Sequence, residues 1–125
     1  MTSDKLSQFT GQKYLNLESY RKNGNAVATP VWFAEDGGEL YIYSLADAGK
    51  VKRIRNNPRV RVVPCDARGK LKGEWIEARA RILDGAEAEK GHRLLDEKYG
   101  LLKKIGNVFS KLMKRERVVI AIKLD

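Results

Sequence analysis

The feature that most constrains this chain is a side-chain period of two, cut at short intervals by glycine turns. In Tyr14–Tyr20, Leu15 and Leu17 alternate with Asn16 and Glu18, and Asn23-Gly24 follows. In Ala26–Ala34, Val27, Val31 and Phe33 share one face while Ala28, Pro30 and Trp32 share the other, and Asp36-Gly37-Gly38 comes next. Leu40–Ser44 continues with Leu40 and Ile42 against Tyr41 and Tyr43. Alternating stretches split by Asn-Gly or Asp-Gly read as hairpins. Connections this short exclude parallel neighbours, which need a crossover of a dozen or more residues.

Pro30 breaks the pattern. Proline cannot donate to a sheet ladder, so it belongs at an edge or a bulge. A bulge there would leave backbone groups free to bond something other than a strand. After Leu45, Val51 and Ile54 are three apart and predict a short helix ending before Pro58. Val60–Cys65 and Trp75–Leu83 read as strands around the turn Asp66-Ala67-Arg68-Gly69, with Ile76, Ala78, Ala80 and Ile82 facing inward. Then the period lengthens. Leu94, Leu95 and Tyr99 predict a helix that stops near Gly100. Leu101, Leu102, Ile105, Val108, Phe109 and Leu112 predict a second. The β-branched Arg117–Leu124 is a last strand. The expected order is β-β-β-α-β-β-α-α-β, one domain over residues 1–125. This is a mainly β (α+β) chain with six antiparallel strands. A short helix follows strand 3, and two C-terminal helices precede the last strand. Closing the sheet into a barrel removes exposed edges.

Lysine and arginine total 25 against 16 aspartate and glutamate, a net charge of +9 that favours anionic partners. One cysteine and one histidine exclude a disulfide framework, a cysteine zinc site and a multi-histidine metal centre. Residues 1–10 are polar, and the longest apolar run is Val118–Ile122. Neither a secretory signal nor a membrane span is expected, and a cytoplasmic setting is. His92 reads as a surface helix residue and Cys65 as a small buried one. No nucleotide-binding glycine motif and no nucleophile–histidine constellation is present.

The richest segment is Gly49-Lys50-Val51-Lys52-Arg53-Ile54-Arg55-Asn56-Asn57-Pro58-Arg59, with five basic residues and no acid. With Val51 and Ile54 inward, Lys50 and Arg53 fall on one flank and Lys52 and Arg55 on the other. Lys50 lies in the first turn, where free amides and the positive dipole end attract anions. A phosphate held by those amides, Lys50 and Arg53 is the specific expectation. With little acid–base machinery elsewhere, the chain suits a protein whose cofactor does the chemistry while the fold holds it.

These residues resemble a known family. Thr29-Pro30-Val31-Trp32-Phe33, Leu40-Tyr41-Ile42-Tyr43-Ser44, the helix Gly49 to Val60, Pro64-Cys65-Asp66-Ala67-Arg68-Gly69 and Gly73-Glu74-Trp75-Ile76-Glu77-Ala78 occur in the order found in the pyridoxamine 5′-phosphate oxidase-like split β-barrels. Those proteins bind flavin (FMN) or the deazaflavin coenzyme F420. Among them the chain is most similar to the small F420-dependent enzymes. The resemblance implies a split β-barrel homodimer with the cofactor at the subunit interface. It places the phosphate on Lys50 and on Ser44, to which the reading of the helix start adds Gly49, Val51 and Arg53. It sets the ring edge against the backbone of Thr29, Pro30, Val31 and Trp32. Trp32 and Tyr43 are candidate walls, and the partner contributes from around Trp75 and Glu77. Gly49 stands where pyridoxamine phosphate oxidases proper carry an arginine, and their substrate-binding C-terminal extension has no counterpart here. Oxidation of pyridoxamine phosphate itself is therefore not expected.

Two readings of function follow. One is an FMN- or F420-dependent oxidoreductase acting on a small substrate, with a flavin-binding protein without turnover as a variant of it. The other is a non-catalytic, nucleic-acid-binding basic barrel. The second is disfavoured, because the strands lack an outward row of aromatics interleaved with basic residues.

Overall fold

The structure is a computed structural model that describes residues 2–105 and 117–125, with side chains over residues 5–98 and 117–125. In chain order the elements are α1 (Thr2–Ser7), β1 (Tyr14–Tyr20), β2 (Ala26–Asp36), β3 (Glu39–Leu45), α2 (Gly49–Asn56), β4 (Arg59–Cys65), β5 (Ile76–Ile82), α3 (Gly85–Ile105) and β6 (Arg117–Leu124). The strands close into a barrel in the order β1-β2-β3-β6-β5-β4, every neighbouring pair antiparallel. The turn chemistry explains the tightest link. Asp36 pairs with Glu39, so Gly37 and Gly38 alone make the connection. Both have positive φ, 60° and 85°, which side chains resist and glycine does not.

The period of two sorts the side chains into two cores. Inside the barrel, Leu15 and Leu17 meet Phe33, Leu40, Ile42, Val60, Val62, Ile120 and Ile122, and Val51 and Ile54 of α2 close one mouth. Outside it, Ala34, Tyr41, Val119 and Ala121 form a second apolar face. α3 covers that face with Leu95, which is fully buried.

Three expectations are corrected. α3 runs unbroken from Gly85 to Ile105, through the Gly100 at which a stop was expected. The apolar spacing from Leu94 and Leu95 on to Leu101 and Leu102 continues across it, and one glycine costs a helix only about 1 kcal/mol. Of the expected second C-terminal helix, residues 101–105 belong to α3, and the rest lie outside the described residues. α1 was not anticipated; Phe9 just after it is buried, edge-on to Phe33 at 5.7 Å. Trp75 and Leu83 lie just beyond the ends of β5.

Gly91 sets how closely α3 lies on the sheet. A Cβ there would come 2.4 Å from Val119 Cγ1 and 3.4 Å from the Tyr41 ring. Alanine is the better helix former by about 1 kcal/mol, but here overpacking opposes it. Gly91→Ala is expected to destabilise the fold by about 1–3 kcal/mol in urea unfolding. A stabilised variant would contradict this packing.

Candidate functional site

The barrel is laced unevenly. β2 pairs with β1 along Ala26 to Trp32, but with β3 only from Phe33 to Asp36. β3 itself continues to Leu45 on β6. Extending the β2–β3 register would set Val31 opposite Ser44, yet no pairing occurs there. Among the described residues, one edge of β2 therefore has no strand beside it over the segment that contains Pro30. The cause lies in α2, which leaves the end of β3 and drives Val51 and Ile54 into the barrel mouth. A helix is about 10 Å across and paired strands are about 4.8 Å apart, so the strands must part to admit it.

The first turn of α2 closes one end of this cleft. Its N-cap, Ala48, has no side-chain cap, and no acid stands in the turn. Lys50 is half-buried, and burial, then the charge of Arg53, pushes its pKa below that of an ordinary lysine. Burial and then Arg21 push Arg53 down as well. Neither cation has a carboxylate within ion-pair distance among the described residues. Arg53 Nε instead donates to Ser19 Oγ at 2.7 Å. Two crowded cations over an acid-free first turn are an arrangement that can hold an anion. The Val51 N–H bonds the Ala48 carbonyl at 3.1 Å, so it serves the helix.

The other expected site residues divide between this corner, the cleft and elsewhere. Thr29 and Val31 face inward on β2, and Pro30 is exposed on the outer face opposite Asn16. Trp32 faces outward, packs on the α3 layer and tilts against Tyr14 at 6.5 Å. Ser44 is buried and turned inward, its hydroxyl donating to the Leu45 carbonyl. Tyr43 is on the outer face. Its hydroxyl is 3.0 Å from Asp96 Oδ1, 3.1 Å from the His92 carbonyl and 3.0 Å from His92 Nδ1. The Arg117 guanidinium lies 4.6 Å from its ring centre. Burial raises the phenol's pKa while Arg117 opposes the rise. Tyr43 is thus pinned beneath α3, and His92 is half-buried with it, not on an open helix face. Cys65 is buried, as expected.

Trp75 stands apart. In the closed barrel β6 separates β5 from the cleft on one side and β4 and β1 separate it on the other, and the Arg61 guanidinium covers the Trp75 ring at 4.9 Å. With Lys5, Gln8, Glu74, Ile76 and Glu77 it lines a separate depression of about 460 Å³. Within one chain, then, Gly49, Lys50 and Arg53 share the corner, Thr29 to Trp32 run along the cleft, and Trp75 joins neither. Ser19 and the Glu18–Arg61 pair went unnoticed in the sequence, because only strand pairing brings them to their partners.

A family model described as pyridoxamine 5′-phosphate oxidase matches residues 2–125. No curated protein matches the sequence. Solved structures do. A FAD-binding protein from Mesorhizobium loti is 17% identical, with a TM-score of 0.70 over 100% of this chain and 88% of that one. An F420 reductase is 21% identical, with a TM-score of 0.62 over 95% and 91%. The haem storage protein HutZ from Vibrio cholerae is 12% identical, with a TM-score of 0.68 over 98% and 89%. At these identities the likeness establishes the fold alone.

The outer face next to the cleft carries a half-buried ion pair. Arg61 donates Nε to Glu18 Oε1 at 2.7 Å and Nη2 to Oε2 at 3.0 Å, and Tyr20 donates to Oε1. The Arg61 hydrogen bonds hold the Glu18 carboxyl below the usual range, against the effect of burial. A lowered folded pKa stabilises above the unfolded value of about 4.3 and ceases to do so as pH falls through the folded one. Glu18→Gln is expected to lose about 1–3 kcal/mol at pH 7, with the gap closing in acid. Urea unfolding at neutral pH and near pH 3 measures it; a gap independent of pH would contradict the ionic assignment.

Proposed function

The chain belongs to the pyridoxamine 5′-phosphate oxidase family, and we propose that it is an oxidoreductase that binds FMN or coenzyme F420 and passes hydride between that cofactor and a small substrate. The observation that carries this reading is the unpaired edge of β2 beside the acid-free, cationic first turn of α2. The residues present fit such a cofactor at both ends. Free strand edges offer alternating N–H and C=O groups, matching the polar rim of a planar ring. Lys50, Arg53 and the α2 amides match its phosphate. The folds shared with a FAD-binding protein and an F420 reductase support the same reading.

When bound, the cofactor supplies two-electron chemistry that no side chain of this chain provides. The protein supplies grip, orientation and a partly dry wall. Lys50 and Arg53 anchor the phosphate, with Ser44 and the Gly49 amide beside them. The backbone of Thr29, Pro30, Val31 and Trp32 fixes the ring's tilt. Pro30 has no N–H, so at that position only a carbonyl is on offer. Trp32 and Tyr43 back the ring from the α3 side. Trp75 and Glu77, remote from the cleft of their own chain, act on the cofactor of a second copy in a homodimer. We place the protein in the cytoplasm, where its lone Cys65 stays a thiol. Among the described residues no helix is long and apolar enough to cross a membrane.

Lys50→Ala is expected to weaken cofactor binding by about 1–3 kcal/mol, the scale of a charge-assisted hydrogen bond. Lys50→Glu should weaken it further by setting a like charge against the phosphate. Absorbance titration of the purified protein with FMN and with F420 tests both. Unchanged affinity in Lys50→Ala would remove the phosphate from this corner, and saturable binding of neither cofactor would end the reading.

A further inference from the structure

The first residue of α2 is a glycine over which a guanidinium is folded. A Cβ on Gly49 would lie 2.8 Å from Arg53 Nη1 and 3.7 Å from its Cζ. The backbone of Gly49 is not in the left-handed region, so its φ does not call for glycine. The space does. The far end of Arg53 is also tied down. Its Nε donates to Ser19 Oγ at 2.7 Å, and Ser19, on the inner face of β1, is 1% exposed. A flexible side chain is thereby given a fixed point on a rigid strand and a resting place over the helix start.

We propose that Ser19 is a positioning residue which, with the side chain missing at Gly49, holds the Arg53 guanidinium over the first turn of α2, so that Arg53 and Lys50 together grip one phosphate monoester dianion. The proposal rests on the cofactor reading above and narrows it. Lys50 and Arg53 have no carboxylate partner among the described residues, and Arg21 adds a further positive charge beside Arg53. So positive a corner favours a monoester, which carries about −1.5 to −2 at neutral pH, over a singly charged diester group. Arginine suits the role because its planar fork keeps two nitrogens for the anion after Nε is committed.

The experiment compares FMN with riboflavin, which has the same ring and no phosphate. Both are titrated against the wild-type chain, Ser19→Ala and Gly49→Ala. The wild type is expected to prefer FMN by roughly tenfold or more, about one charge-assisted bond. Each variant is expected to cut FMN affinity several-fold while leaving riboflavin affinity unchanged, so the preference collapses. Thermal melting separates this from damage to the fold. In Gly49→Ala only the tip of Arg53 must move, and alanine is the better helix former, so its melting temperature should not drop. Wild-type FMN preference in both variants would overturn the positioning role and leave the flavin reading standing. Tight binding of F420 with none of FMN would overturn the dianion assignment and leave the deazaflavin branch. Binding of no flavin or deazaflavin at all would take the cofactor reading down as well.

Discussion

Two lengths compete at one corner of this barrel. Paired strands stand about 4.8 Å apart, while a helix entering between their ends needs about twice that. Only three residues separate the end of β3 from α2, which sends Val51 and Ile54 into the barrel core, where both are buried. β2 and β3 can therefore stay zipped only at their far ends, around the Gly37-Gly38 turn. The apolar contacts of the two α2 side chains stabilise the separation, since leaving them in water would cost about 1.5–3 kcal/mol each. The open strand edge thus follows from how the core is filled. Pro30 agrees with it, because a strand that is not fully laddered tolerates a residue without an N–H.

The same corner concentrates the electrostatics. Several basic side chains elsewhere have acid partners. Arg81 meets Glu39 and Glu87, Arg59 meets Glu77 and Asp125, and Lys90 meets Asp36. Those pairs are largely exposed and add little to stability. Lys50 and Arg53 are different, each partly out of water beside another cation. Folding holds them there at an electrostatic cost that a bound phosphate would offset. Under the proposed function, such a corner is assembled at the expense of some stability, which is common where function needs strained or crowded groups.

Much of this architecture could be read along the chain. The alternation of Leu15 and Leu17 or of Ile76, Ala78 and Ala80 is local, and so is the double glycine after Asp36. What could not be read depends on distant partners. Asn16 and Glu18 look like the wet face of β1, yet both are buried, because Arg61 and the Gly69 carbonyl reach them from β4 and the loop beyond it. His92 looks like a surface residue until Tyr43, 49 positions away, is brought against it. Gly100 looks like a helix stop, but the apolar spacing on either side outweighs a single weak helix former. At the candidate site, Lys50 is visible from its place in the first turn. The reason for Gly49 is not, because it depends on where Arg53 is tied, and Ser19 lies 34 residues from Arg53.

In the proposed function the open edge of β2 receives the ring of the cofactor. Hydrogen–deuterium exchange, with and without saturating FMN or F420, addresses it directly. In the free protein the outward-pointing amides between Ala26 and Trp32 should exchange quickly, while those of β6, paired on both sides, stay protected. Cofactor should slow exchange in the Ala26–Trp32 segment and at the start of α2. Protection that appeared elsewhere, with β2 exchanging as before, would rule out this placement of the ring.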